Sequence, residues 1–289
     1  GPILTYEDET VRKGPPVTAM LVQNTNPAAV APDTHRVLRG LRREDLFLCV
    51  HEQFMTETAQ HADVVLPATT FLEHDDIYQA GGQVHIQVHR AIIDPPGETR
   101  SNHWVNCELA KRLGAVHPGF EMTEWELVDR TLRDSGWPGA DEVLEKKWHD
   151  VQPSFEDSHF LNGFPTPSGK YRFRADWSAM GPLGHMLPTM PDHCRTIDEA
   201  TEDRPFRMIT SPARNFLNSS FTETPTSKRR EGRPSVMVHP DVATRLGIAE
   251  GTRVRLGNEQ GSVVLHARLF DGVQPGVIVV ESVWPNAAF

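Results

Sequence analysis

The residues with most chemical potential stand just after apolar runs. Val17-Thr18-Ala19-Met20-Leu21-Val22-Gln23 ends in Asn24-Thr25-Asn26-Pro27, and Leu46-Phe47-Leu48-Cys49-Val50 ends in His51-Glu52. Short continuous apolar runs of this kind are what buried parallel strands look like, and open α/β sheets bind ligands outside the carboxyl ends of such strands. A carboxylate at Glu52 can accept the paired N1–H and N2–H donors of a guanine edge. Thr56 to Thr58 would start a helix whose free amide N–H groups suit a phosphate. Each of these residues also fits a turn or a helix cap, but their recurrence at successive strand ends points to nucleotide binding.

Other chemistries find less support. Fourteen histidines raise the question of a metal site. His85 and His89 would share one face of a strand, with Ile86 and Val88 on the other, and no third ligand sits at a familiar spacing. His-Glu-x-x-His, Gly-x-Gly-x-x-Gly and the Gly-x-Ser-x-Gly elbow do not occur. Pro167-Ser168-Gly169-Lys170 lacks the upstream glycine of a phosphate loop. The three cysteines, Cys49, Cys107 and Cys194, contain no Cys-x-x-Cys pair, which excludes a disulfide scaffold, a zinc ribbon and a self-contained iron–sulfur site. Against 29 Lys+Arg the chain has 39 Asp+Glu, a formal net charge of −10, so nucleic acid is not an expected partner. No run approaches the roughly 18 to 20 apolar residues of a membrane helix, so a soluble chain without a membrane span is expected.

The elements that would carry these residues divide the 289-residue chain in three. Residues 1–150 read as an α/β region with a helical extension. Its strands fall near residues 17–23, 46–50 and 64–67, and helices near 34–43 and 124–132; Trp104, Cys107, Leu109 and Leu113 recur at helical spacing. Residues 151–203 read as a turn-rich connection, punctuated by Gly163, Pro165, Pro167, Gly169, Gly181, Pro182, Pro188 and Pro191, with a short strand at Lys170 to Arg174. Residues 204–289 read as a β domain. Val254 and Leu256 would point inward, Asn258-Glu259-Gln260-Gly261 would make a hairpin turn, and closure into a barrel would remove the strand edges.

The pattern resembles a known family. Asn24-Thr25-Asn26-Pro27, Thr56-Glu57-Thr58-Ala59, Ala62 to Ala68, Glu73, Pro95 to Trp104 and Leu109 to Gly114 are similar to the late central part of the molybdopterin oxidoreductases of the dimethyl sulfoxide reductase family. Thr210-Ser211-Pro212 through Phe221, His239-Pro240-Asp241, Gly247-Ile248, Gly251, Val254 and Asn258 to Gly261 are similar to that family's carboxyl-terminal dinucleotide-binding barrel. The fold implied is an open doubly wound α/β sheet, present in part, followed by a double-psi β-barrel cut short at its C-terminus.

The cofactor implied is bis-molybdopterin guanine dinucleotide with molybdenum or tungsten. By motif, Asn26, His51, Glu52, Thr58, His74 and Asn102 fall at dinucleotide-facing positions, and Thr210, Ser211, Arg214, Asn215, Asn218 and Ser219 in the loop that wraps a pterin. Three of these depart from the family's usual residues: His51 from a serine, His74 from a lysine and Asn102 from an aspartate. The resemblance implies a carboxyl-terminal portion of a two-electron or oxygen-atom-transfer enzyme that holds the cofactor without supplying the metal ligand. The metal ligand and a possible 4Fe-4S cluster would belong to a preceding half of the same polypeptide. That half and an electron-transfer subunit are the implied partners, and the cytoplasm is expected ahead of the periplasm. The rival readings are a non-catalytic pterin-dinucleotide-binding or assembly module and an unrelated two-domain nucleotide-binding protein.

Overall fold

The computed structural model describes residues 15–177, 184, 187–190 and 199–289. Cys194, Gly181, Pro182 and Pro191 lie outside them. The chain forms two compact units, one of residues 1–70, 95–109 and 198–289, the other of residues 71–94 and 110–197.

The first unit opens with a parallel sheet of β1 (Ala19–Gln23), β2 (Phe47–Glu52) and β3 (Val64–Pro67), in the order β1-β2-β3. Val22, Leu48 and Val50 pack against Ala28, Val37 and Leu41, the last two from the helix Thr34–Leu41. The strand order runs one way, so the reversal that defines a doubly wound sheet is not among these three strands. Beyond β3 the chain returns at Arg100, whose N–H donates to the Pro67 carbonyl while its own carbonyl accepts from Thr69. This extends the sheet by one bridge just before the helix Asn102–Leu113. In that helix the apolar spacing misleads: Trp104, Leu109 and Leu113 are exposed, and Val105 and Ala110 are the buried positions.

The second unit contains an antiparallel sheet of β4 (Asp76–Tyr78), β5 (His85–His89) and β6 (His149–Asp150). Ile86 and Val88 enter a core with Trp125, Val128, Leu132 and Val143. His85 and His89 take the other face, as the alternation requires: His85 meets the Trp148 ring edge-on, and His89 Nε2 lies 2.8 Å from the Tyr78 hydroxyl. The helix Glu124–Asp134 starts on a Thr123/Glu126 capping box. Lys170 to Arg174 is not a strand. Phe164 N–H donates to the Gly169 carbonyl and the Thr166 hydroxyl to the Lys170 carbonyl, so local turns take the groups a ladder would need.

Asp129 ties two helices of this unit together. It accepts from Arg133 Nε at 2.7 Å and from the N–H of Ala140, the first residue of the helix Ala140–Lys146, at 2.8 Å. A Cβ on Gly139 would lie 2.1 Å from the Arg133 guanidinium, so a larger residue there would displace that side chain from its place beside Asp129. The Arg133 guanidinium first, and then the Ala140 N–H, hold the Asp129 carboxyl below its usual range. A depressed carboxyl contributes stability above its unfolded pKa of about 4 and loses it as the pH falls through the folded value. Asp129→Asn therefore lowers the melting temperature at pH 7, and its gap from wild type narrows below about pH 4. Thermal melts across pH check this, and a gap that does not change with pH contradicts it.

The remaining strands of the first unit are β7 (Arg207–Pro212), β8 (Ser235–Val238), β9 (Arg253–Asn258), β10 (Gly261–Leu269) and β11 (Val277–Ser282). They make one mixed sheet in the order β7-β11-β8-β10-β9. The β9–β10 hairpin turns at Asn258 to Gly261, and Val254 and Leu256 pack toward Val236, Val242 and Leu265. The expected closed barrel is not formed. Among the described residues β7 and β9 pair on one side only and end the sheet, and Met208 and Ile209 on β7 stay exposed.

Candidate functional site

The strand ends of β1 and β2 are joined by a buried polar lock. Asn24 adopts a positive φ of 57°, which asparagine tolerates better than most residues, and turns the chain toward Asn26. The Asn26 Oδ1 accepts from the Thr58 hydroxyl at 2.7 Å and the Thr58 N–H at 3.2 Å, and its Nδ2 donates to Glu57 Oε2 at 2.9 Å. The Thr58 hydroxyl in turn accepts from Ala28 N–H at 3.0 Å. Asn26 is 4% exposed and Thr58 fully buried. Thr56 to Thr58 precede only a single 3-10 turn, Ala59–His61, and not the expected helix. The Thr58 amide is spent on Asn26, so it is not free for a phosphate.

His51 works in the same internal way. It is 1% exposed, with Nδ1 3.0 Å from Gln23 Nε2 and Nε2 3.0 Å from the Arg100 carbonyl. The carbonyl only accepts, so the ring hydrogen belongs on Nε2, and the imidazole links β1, β2 and the Arg100 bridge. Glu52 and Asn102 are placed differently. Glu52 is half-buried; its Oε1 accepts from Gln53 N–H at 2.8 Å, and Oε2 has no hydrogen-bond partner among the described residues. Asn102 Nδ2 donates to Asn24 Oδ1 at 2.9 Å, which leaves Asn102 Oδ1 and Asn24 Nδ2 open.

Residues far along the chain complete this cluster. Asn286, just after β11, donates from its backbone N–H to Glu57 Oε1 at 3.2 Å and from Nδ2 to the Ala28 carbonyl at 3.1 Å. Asn286, Glu57, Gln23 and Arg100 are the members that sequence reasoning missed. Only a side-chain type capable of pairing marked the first three, with no spacing to say with what, and Arg100 acts through its backbone, which residue type does not mark.

The other expected positions lie at and after the end of β7, in the same unit. Thr210 is exposed and Ser211 half-buried. Arg214 and Asn218 are exposed, Asn218 with φ of 51°. Asn215 donates from both its backbone N–H and its side chain to Glu231 Oε1, and the Ser219 carbonyl accepts from the Thr222 hydroxyl at 2.8 Å. His74 belongs to the second unit, with Nε2 3.6 Å from Asp76 Oδ2. The first unit thus holds eleven of the twelve positions, five around the β1 and β2 strand ends and six on β7 and its loop.

The cluster offers hydrogen-bonding groups and no nucleophile. Burial pushes the Cys49 thiol up, which keeps it protonated and unreactive. Among the described residues no three His, Cys, Asp or Glu side chains converge as metal ligands, and no helix is long and apolar enough to cross a membrane.

Comparison with known proteins places this arrangement. Residues 5–112 match the family described as molybdopterin oxidoreductase, and residues 206–288 match the molydopterin dinucleotide binding domain. A probable oxidoreductase of Bacillus subtilis, YoaE, is 32% identical over 94% of this chain and 40% of its own length. The trimethylamine-N-oxide reductase of Haemophilus influenzae is 26% identical over 93% of this chain and 36% of its own. The dimethyl sulfoxide/trimethylamine N-oxide reductase of Cereibacter sphaeroides is 28% identical over 90% and 35%. The chain thus spans about two fifths or less of the length of these relatives. Acetylene hydratase from Pelobacter acetylenicus shares the fold, with a TM-score of 0.77 and 21% identity over 96% of this chain and 38% of its own. Two family regions in order, one at the β1 and β2 strand ends and one spanning β7 to β11, make this chain a member of the molybdopterin oxidoreductases, among the relatives of the dimethyl sulfoxide and trimethylamine N-oxide reductases.

Proposed function

We propose that this chain forms two cofactor-holding walls of an enzyme that uses molybdopterin guanine dinucleotide for two-electron redox or oxygen-atom transfer. The observation that carries the reading is the Asn286 bridge. It ties the strand-end loop of the first family region to the segment just after β11 in the second, within one compact unit.

The groups left open fit the cofactor. Glu52 Oε2 is an uncommitted anionic acceptor, suited to the N1–H and N2–H pair of guanine. Asn24 and Asn102 each keep one amide atom for the nucleotide. Asn26, Thr58 and His51 serve it indirectly, by fixing the loops that carry Glu52 and Asn24. Thr210, Ser211, Arg214, Asn215, Asn218 and Ser219 would meet the pterin, whose ring is rich in donors and acceptors. His74, matched by motif alone, lies beside Asp76 in the second unit. When bound, the molybdenum or tungsten held by the pterin dithiolenes supplies the electron and oxygen-atom exchange. The metal's protein ligand, a 4Fe-4S cluster and the electron partner belong in this reading to the rest of the polypeptide or to another subunit. The relatives named as N-oxide and S-oxide reductases make oxide reduction the reaction class to try first.

The test is elemental and nucleotide analysis of the purified parent protein. The expected result is molybdenum or tungsten together with a pterin and GMP released by acid. Pterin and GMP without metal or turnover would favour the assembly-module reading, and a protein with neither pterin nor metal would end the proposal.

A further inference from the structure

A cleft of about 290 Å³ opens in the first unit beside β8, β10 and β11. Arg230, Arg233 and Arg268 line it together with Glu231, Glu250 and Glu281, and Trp284 forms one wall. The carboxylates are already committed. Glu231 Oε1 accepts from the backbone N–H and the side chain of Asn215, Glu250 Oε2 accepts from Leu269 N–H at 2.7 Å, and Glu281 Oε2 lies 3.6 Å from Arg268.

Two of the arginines are not committed. The chain has ten more acidic than basic residues, and cations such as Arg43, Arg90, Arg130, Arg133 and Lys146 have carboxylate partners. Lys228, Arg229, Arg230 and Arg233 fall within six positions, and among the described residues none of them has a carboxylate at ion-pair distance. The negative end of the helix Pro225–Glu231 favours cations in its last turn, but Arg233 lies beyond the helix. Its guanidinium rests on the turn at Gly251, where a Cβ would lie 3.1 Å from Arg233 Nη2.

We infer that this cleft binds a pyrophosphate-type anion through the Arg230 and Arg233 guanidinium groups. Guanidinium forks match phosphate oxygens two at a time. The cleft lies just below the usual size range for drug-like ligands, of about 300 to 1,000 Å³, so it suits one or two phosphate groups and not a whole dinucleotide. Three arginines and three glutamates cancel in charge, so binding rests on directional guanidinium–phosphate bonds and not on bulk attraction. The anion is either free or the diphosphate of a nucleotide, whose base would then face Trp284. The inference does not rest on the Glu52 guanine contact of the cofactor reading, although Glu231 of the cleft also holds Asn215 of the loop assigned to the pterin.

Isothermal titration of the purified protein with inorganic pyrophosphate tests it. One saturable site with Kd below about 1 mM is expected. The double variant Arg230→Gln/Arg233→Gln weakens binding at least about tenfold, while Arg245→Gln, on the exposed side of the helix Pro240–Leu246, leaves it unchanged. All these side chains are at the surface, and equal melting temperatures confirm that the variants are folded. Displacement of pyrophosphate by GDP, lost with Trp284→Ala, identifies a nucleotide as the source; failure of GDP to displace it identifies a free anion. Either result supports the site. No saturable binding, or equal binding by the double variant, overturns it.

Discussion

Asn26→Ala lowers the stability of the protein by about 3 kcal/mol, measured by urea denaturation. The substitution removes three hydrogen bonds at once and leaves the Thr58 hydroxyl and N–H without their acceptor in a site that solvent does not reach. Leaving a buried donor unmet costs about 1 to 3 kcal/mol per group, and two are left here, with partial relief if the small cavity admits water. Asn26→Asp is no gentler. It keeps the acceptor for Thr58 but sets a carboxylate where Nδ2 now donates to Glu57 Oε2, and two adjoining carboxylates disfavour each other's charge. A loss below about 1 kcal/mol for Asn26→Ala would mean that the lock contributes little beyond what water replaces.

The second large effect is on binding. Glu52→Ala weakens guanine-nucleotide affinity by about 1.5 to 3 kcal/mol, roughly ten- to a hundredfold. The arithmetic is that of charge-assisted hydrogen bonds from two donors to one carboxylate. Folding should be nearly untouched, because Glu52 bonds only the N–H of the next residue and its second oxygen is open. Adenine nucleotides have no N1–H and no N2 amine, so their affinity should not change. Titrations with GMP and AMP of wild type and variant separate the outcomes. Equal losses for both bases would move the contact from base to sugar or phosphate, and no loss for GMP would remove Glu52 from the site.

The sequence made parts of the fold plain where a single physical effect dominated. β1 and β2 are buried parallel strands and read as continuous apolar runs; Ile86 and Val88 alternate with histidines because one face of β5 is dry. Elsewhere non-local partners decided. The helix Asn102–Leu113 has apolar residues around much of its circumference, so spacing could not say that Val105 and Ala110, and not Trp104 and Leu113, go inside. Barrel closure depends on whether the first and last strands of the sheet pair, which no local pattern encodes. The site divides in the same way. Residue type marked Asn26, Thr58 and His51 as hydrogen-bonding groups near strand ends, and proximity to the ends was right. Their partners were unreadable, so positions expected to face a ligand are instead turned inward on Glu57, Ala28, Gln23 and Arg100.

The Asn286 bonds bear on the order of events in the cell. They join positions 229 and 258 residues apart. The entropic cost of closing such a long loop grows only with the logarithm of its length, but the bonds cannot form before their donor exists. A ribosome working from the amino end releases the β1 loop long before residue 286 is made, and the loop stays without its last two partners until then. The strand-end cluster is therefore complete only once residue 286 has left the ribosome, and a ligand that needs the finished cluster waits for that residue.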